Sequence, residues 1–189
     1  MAVQQGIWKI SQSADAKPQA LREIKLENEA LLEQQIVKDI SILNAHWLLI
    51  GQQVTTDFGK KIDLLAVDAS GSVIVIELKK DRTPRDVVAQ AIDYASWVET
   101  LSSDRLSRIY AEFAAKQGLS SQSLDEAFRQ KFSVVLSEDD LNSSHQMVIV
   151  AAELDASTER IITYLNDKAS VAVNAVFFSV FEDSGHQYL

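Results

Sequence analysis

The chain has 189 residues and a mass of 21.0 kDa, the size of one domain with at most a short arm. Hydrophobic residues make up 47% and charged residues 24%, with 6 Gly and 2 Pro, which excludes collagen-like, low-complexity and wholly disordered chains. Eighteen Lys and Arg stand against 27 Asp and Glu, a net charge of −9, which argues against an extended nucleic-acid coat but allows a local basic patch. There is no Cys, hence no disulfide framework, thiolate metal site or cysteine nucleophile. No apolar run approaches a membrane span, and the opening MAVQQGIWKISQ lacks the order of a signal peptide. The expectation is a soluble, cytoplasmic globular protein without a membrane partner.

Residues 1–19 read as an arm or short strand around Ile7-Trp8-Lys9-Ile10, and 20–189 as a single domain. From Pro18 to Lys38 the positions Leu21, Ile24, Leu31, Leu32 and Ile36 recur at helical spacing, and Ile40 and Leu43 extend it by a short turn. Trp47–Ile50 and Gln52–Thr56 are β-prone, and Asp57-Phe58-Gly59 is a turn. Two apolar runs follow, Ile62–Val67 and Val73–Leu78, separated by the hairpin chemistry of Asp68-Ala69-Ser70-Gly71. Three consecutive antiparallel strands are expected, the third apolar on both faces and therefore central.

Thr83, Pro84 and Asp86 read as the cap, first position and third position of a helix carrying Val87, Val88, Ala91, Ile92, Ala95 and Val98. Further helices are expected at Asp104–Lys116, stopped by Gly118, at Ser123–Phe132, and at Ser157–Lys168. Met147–Ala152 reads as a strand, and Val171–Phe181 as one long closing strand. The order α-β-β-β-α-α-α-β-α-β describes an α/β fold: a central mixed β-sheet with an antiparallel hairpin core, flanked by α-helices.

The chemistry concentrates in GKKIDLLAVDASGSVIVIELKK, residues 59–80. A hairpin centred on Ser70 puts Asp63 opposite Glu77, with Cβ atoms roughly 5 Å apart on one face. Lys79, two residues beyond Glu77, shares that face. Carboxylates about 5 Å apart repel by roughly 3 kcal/mol at an effective dielectric near 20, which Lys79 only partly offsets. A divalent cation would remove the remaining strain; a raised pKa is the alternative. Glu77 also interrupts the run VIVIELK, which otherwise has every reason to stay apolar.

A third acid comes from the first helix, where Glu29 and Glu33 lie one turn apart; Glu33 is the choice, although spacing alone does not separate the two. Gln90 and Tyr94 project together from the helix after the third strand.

Asp63 followed by Glu77-Leu78-Lys79 resembles the D…ExK core of the PD-(D/E)XK nuclease superfamily, and Gln90-Ala91-Ile92-Asp93-Tyr94 resembles the QxxxY motif of its RecB-like branch. Glu33 in LLEQQI matches the helix acid of the set. The stretches IGQQVTTDFGKKIDLLAVD and IELKKDRTPRDVVAQAIDYASWV are similar to nuclease domains of the mismatch-cutting NucS type, over about residues 29–99. Ile62 stands where the superfamily's name has Pro, and the expectation is a nuclease domain without the partner domain that precedes it in NucS-type enzymes.

The resemblance implies a restriction-endonuclease-like fold and a Mg²⁺- or Mn²⁺-dependent DNA endonuclease of repair or defence. Asp63 and Glu77 would hold the ion, with the Leu78 carbonyl as a further ligand. Lys79 would orient water or neutralise the transition state, and Glu33 would support the metal site. Gln90 and Tyr94 would fix Lys79 and contact the substrate backbone. The competing reading is a catalytically silent nuclease-like domain that binds DNA or protein; RNA or branched junctions are a third substrate class.

Local charge suits a nucleic-acid partner better than the total does. Residues 60–85 hold six basic side chains (Lys60, Lys61, Lys79, Lys80, Arg82 and Arg85) against four acidic ones. Lys60, Lys61, Lys80, Arg82 and Arg85 are thus the candidate DNA rim, or else a solvated loop and helix start. A homodimer would suit two cuts on a duplex. Trp8, Trp47 and Trp97 read as packing residues, Tyr110 and Phe113 as core, and the three His as without catalytic role.

Overall fold

The alternating and apolar runs in the middle of the sequence form a five-stranded mixed sheet. The structure, a computed structural model, describes residues 6–10, 17–83, 85–119 and 122–189, with only the backbone described for Arg82 and Thr83. Three short strands come first: β1 (Trp8–Lys9), β2 (Gln19–Ala20) and β3 (Arg22–Ile24). Helix α1 spans Glu29–Lys38, and a single 3₁₀ turn covers Ile40–Ile42. The hairpin strands β4 (Trp47–Thr55), β5 (Lys61–Asp68) and β6 (Val73–Thr83) follow. Next come helices α2 (Asp86–Val98), α3 (Ser103–Lys116) and α4 (Leu124–Phe132). The chain continues through β7 (His145–Leu154), α5 (Ala156–Ala169), β8 (Val173–Phe177), β9 (Val180–Asp183) and β10 (His186–Tyr188).

The main sheet has the order β4-β5-β6-β7-β8, antiparallel through the first three strands and parallel from β6 to β8. Strand β6 is central and buried on both faces from Val73 to Leu78, as the apolar run broken only by Glu77 requires. Helix α1 packs on β6, α2 on β6 and β7, α3 and α4 on β4, and α5 on β8. The fold class is the expected one, a mixed sheet with an antiparallel hairpin core flanked by helices. Among the described residues no helix is long and apolar enough to cross a membrane.

The hairpin that matters most turns at Asp68–Gly71. Asp68 Oδ1 accepts from the amides of Ser70 and Ser72 at 2.9 and 3.2 Å, the local bonding for which Asp is favoured in turns. Gly71 has φ +84, and a Cβ there would lie 2.8 Å from the Asp140 carbonyl oxygen. The resulting register pairs Val67 with Val73 and Leu64 with Ile76, which centres the hairpin on Ser70 as expected. The loop before β7 is tied to the same place: Asn142 N donates to the Gly71 carbonyl, and its side-chain amide donates to the Val98 and Leu101 carbonyls at the end of α2.

Several expectations are corrected. The helix predicted from Pro18 begins only at Glu29, capped by Asn28, whose side chain accepts from Leu31 N at 2.8 Å. Leu21 and Ile24 keep helical spacing, but Arg22–Ile24 pairs with Phe181 and its neighbours, and tertiary pairing overrides the periodicity. Thr83 does not cap α2: its backbone ends β6, held extended by pairing with Leu154, and Arg85 occupies the cap position without a side-chain cap bond. Pro84 lies outside the described residues, as do positions 1–5 and 11–16 of the arm.

The strand predicted over Val171–Phe181 breaks at Phe178-Ser179. Its first part, β8, extends the main sheet beside β7, while β9 joins β3 and β10 in a second sheet of order β10-β9-β3. The same apolar run therefore feeds two sheets. Of the apolar residues that α2 carries, Ile92 is 39% exposed, while Tyr94 and Trp97 are buried.

Gly71→Ala is expected to destabilise the chain by about 2 kcal/mol or more, because left-handed backbone and a clash with backbone atoms add. Gly59→Ala, at φ +74 with nothing within 4 Å, should cost only the backbone part, about 1–2 kcal/mol. Urea unfolding of both variants checks the difference.

Candidate active site

The acid pair sits where the β5–β6 ladder ends. The last paired residues are Leu64 and Ile76, so Asp63 and Glu77 are next in line. There the Asp63 side chain takes over a backbone partner: its Oδ2 accepts from Leu78 N at 2.9 Å. Glu77 is 2% exposed, and its Oε1 accepts from Lys79 Nζ at 2.6 Å. Its other oxygen, Oε2, is buried without a hydrogen-bond partner.

A shell of side chains from α1 and β4 surrounds the pair. Asp63 Oδ1 accepts from Gln53 Nε2 at 3.1 Å, and the same amide donates to Glu33 Oε2 at 2.6 Å. Gln52 Nε2 donates to Glu33 Oε1 at 2.7 Å. Glu29, one turn earlier on α1, accepts from Lys80 N at 3.2 Å, and its charge reaches Glu77 and Lys79. Spacing left Glu29 and Glu33 as alternatives; the structure brings both in, Glu33 on the Asp63 side and Glu29 on the Glu77–Lys79 side.

Gln52 and Gln53 have no role in the sequence reading. The only signal is the Gln pair itself, two amides on an otherwise apolar strand before the Asp63 strand.

Gln90 and Tyr94 meet as their spacing predicts, Gln90 Nε2 donating to the Tyr94 hydroxyl at 2.9 Å. Tyr94 is buried and lies within the field of Glu77, Asp63 and Lys79. Lys60 at the end of the β4–β5 turn and Lys61 at the start of β5 are exposed at the Asp63 end of the sheet. That turn is pinned by Trp97 Nε1, which donates to Asp57 Oδ2 at 3.0 Å. Lys80 Nζ donates to the Glu27 carbonyl at 3.3 Å and lies 3.9 Å from Asp81. Arg85 is exposed at the start of α2, and the Arg82 side chain lies outside the described residues. Trp47 and Trp97 are core residues, as are Tyr110 and Phe113, whereas Trp8 is 57% exposed.

Electrostatics follow from this burial. Desolvation, then the Asp63 charge, push Glu77 up to about 7, against the pull of Lys79. Burial also raises Asp63, opposed by the Leu78 amide, Lys79 and Gln53. For Lys79 burial disfavours the ammonium, but its bond to Glu77 and the charges of Glu77, Glu29 and Asp63 outweigh that and move it upward. Burial and the two acids raise the Tyr94 phenol. The site carries more negative charge than its one ammonium balances.

The donor set suits a hard, oxygen-preferring dication: two carboxylates beside one another, one with a buried oxygen that no N–H or O–H satisfies. Among the described residues no group of three or more His, Cys, Asp and Glu is arranged to hold a metal ion, so the fit rests on Asp63 and Glu77.

Three solved structures resemble the chain. A repair endonuclease from Pyrococcus abyssi aligns with a TM-score of 0.48 at 14% identity, covering 83% of this chain and 49% of that one. A complex of EndoMS with double-stranded DNA aligns with a TM-score of 0.48 at 15% identity, covering 82% and 47%. EndoMS in its apo form gives 0.44 at 14%, covering 82% and 48%. The chain thus spans about half the length of each. No protein-family model and no curated protein matches it.

The raised Glu77 pKa fixes a pH dependence. Between its ordinary value of 4.5 and about 7, the unfolded chain has lost this proton while the folded chain keeps it. Stability therefore falls as pH rises through that window and levels off above it. Thermal unfolding from pH 4 to 8 should show this fall, and Glu77→Gln should flatten it and be more stable than the parent at pH 8.

Proposed function

We propose that the chain is a metal-dependent deoxyribonuclease, an endonuclease that hydrolyses phosphodiester bonds in DNA during repair or defence. One observation carries the reading: Glu77, buried at the end of the apolar run of β6, lies within the field of Asp63, has one oxygen without a hydrogen-bond partner and has Lys79 on the other. A lone buried carboxylate would be costly, and two are tolerated where a cation joins them. Mg²⁺ or Mn²⁺ would be held by Asp63 and Glu77, with the Leu78 carbonyl as a further ligand. When bound, such an ion polarises phosphoryl oxygens and makes water more acidic.

The chain's own residues do the rest in this reading. Leu78 N and Gln53 hold Asp63 in one orientation. Lys79, fixed on Glu77 at 2.6 Å, offsets charge developing on the phosphate oxygens. Glu33 completes the acidic wall, and Gln90 with Tyr94 orients the backbone of the bound strand. Lys60, Lys61, Lys80, Arg82 and Arg85 receive neighbouring phosphates, contacts that position the duplex without reading its sequence. Two chains acting as a symmetric pair would cut both strands.

The Glu77–Lys79 ion pair also favours a second reading, in which the ammonium is the sole counter-charge and the domain binds DNA without cutting it. Asp63→Ala, Glu77→Ala and Lys79→Ala are each expected to lower cleavage of duplex DNA in Mg²⁺ by at least about 100-fold while circular dichroism stays unchanged. DNA retention with no cleavage by the parent chain in Mg²⁺ or Mn²⁺ would select the second reading.

A further inference from the structure

Successive side chains of a regular strand point to opposite faces, so neighbouring glutamines should not reach one carboxylate. Gln52 and Gln53 do, donating to Glu33 Oε1 and Oε2 at 2.7 and 2.6 Å. The backbone explains how. Gln53 has φ +50, a left-handed conformation uncommon outside Gly, Asn and Asp, in the middle of β4. The β4–β5 register pairs Gln52 with Leu64 and Val54 with Ile62 without Gln53 and Asp63 pairing between them, and its one register shift comes earlier, between Leu49 and Gly51. The kink breaks the alternation and turns the second amide toward the acids.

The amide at 53 has two hydrogens and uses both, one on Glu33 Oε2 and one on Asp63 Oδ1 at 3.1 Å. It therefore bridges two carboxylates that repel each other. Gln52 is oriented from behind: its Oε1 accepts from Gln117 Nε2 at 3.2 Å, which leaves its own NH₂ for Glu33. Backbone strain kept at a buried polar junction is a pointer to function, since the residue could be Gly at no conformational cost.

We infer that Gln53 is a positioning residue, whose strained backbone places a neutral amide between Glu33 and Asp63 and holds both carboxylates in register for the cation at Asp63 and Glu77. The inference rests on the metal-site reading above. Glycine accepts the left-handed backbone and removes the amide, so it separates strain from function. Gln53→Gly should keep or raise the melting temperature yet weaken Mn²⁺ binding by about 10- to 100-fold, the range typical of lost ligand-supporting contacts. On the same grounds, kcat for DNA cleavage should fall while KM is unchanged.

The decisive measurement is calorimetric titration of the full chain with Mn²⁺ alone, beside thermal unfolding without metal. Gln53→Asn, which tolerates the same backbone but carries an amide one carbon shorter, is expected to show the same loss and decides the matter if the Gly variant does not fold. Mn²⁺ affinity within twofold of the parent, or a loss that only tracks lowered stability, would overturn the role of Gln53. A parent chain that takes up no Mn²⁺ would overturn the metal-site reading, and this inference with it.

Discussion

The structure depends on one constraint: a hairpin whose register leaves two carboxylates adjacent at the end of a ladder, in a sheet that buries them. Asp68 and Gly71 build the turn, and the pairing from Val67–Val73 to Leu64–Ile76 carries its register down the strands. A slip of one residue would send either acid to the opposite face. The turn forbids that slip, since β5 and β6 are apolar and buried on both faces from Leu64 to Val67 and from Val73 to Ile76 and their pattern alone would accept either register. The turn that sets the ladder is therefore also what brings Asp63 and Glu77 together.

Burial decides the chemistry that follows. Exposed, such a pair would be screened and of little consequence. At 2% exposure Glu77 feels both desolvation and Asp63, and holds its proton to about 7. Lys79 relieves part of this through one oxygen and leaves the other bare. The surrounding donors are almost all neutral: the Leu78 amide, Gln52 and Gln53. Neutral donors orient carboxylates without cancelling their charge. The arrangement thus keeps the acids fixed and still attractive to a cation.

Much of this was legible in the sequence because its causes are local. The turn chemistry at 68–71, the run broken by Glu77 and the two-residue step to Lys79 give the register and the shared face. The Gln90–Tyr94 contact follows from helical spacing. Ser102 and Ser123 begin α3 and α4 close to the expected boundaries, since caps act within one turn. The choice between Glu29 and Glu33 was not legible, because one helix face presents both and only its packing against β6 shows that each finds a different side of the pair. Leu21 and Ile24 misled for the related reason that helical spacing within six residues also fits a short strand with a distant partner.

By itself the sequence determined the central hairpin, the acids and ammonium on its face, and the helix order, all set by periodicity and by turns that act over a few residues. Tertiary structure alone decided that one apolar run divides between two sheets at Phe178-Ser179, that Thr83 stays in a strand, and that Gln53 adopts φ +50. Each of these depends on a partner far along the chain: β3 for β9, β7 for the end of β6, and the carboxylates of Glu33 and Asp63 for the amide of Gln53. Local preference is weak there, and long-range pairing and hydrogen bonding outweigh it.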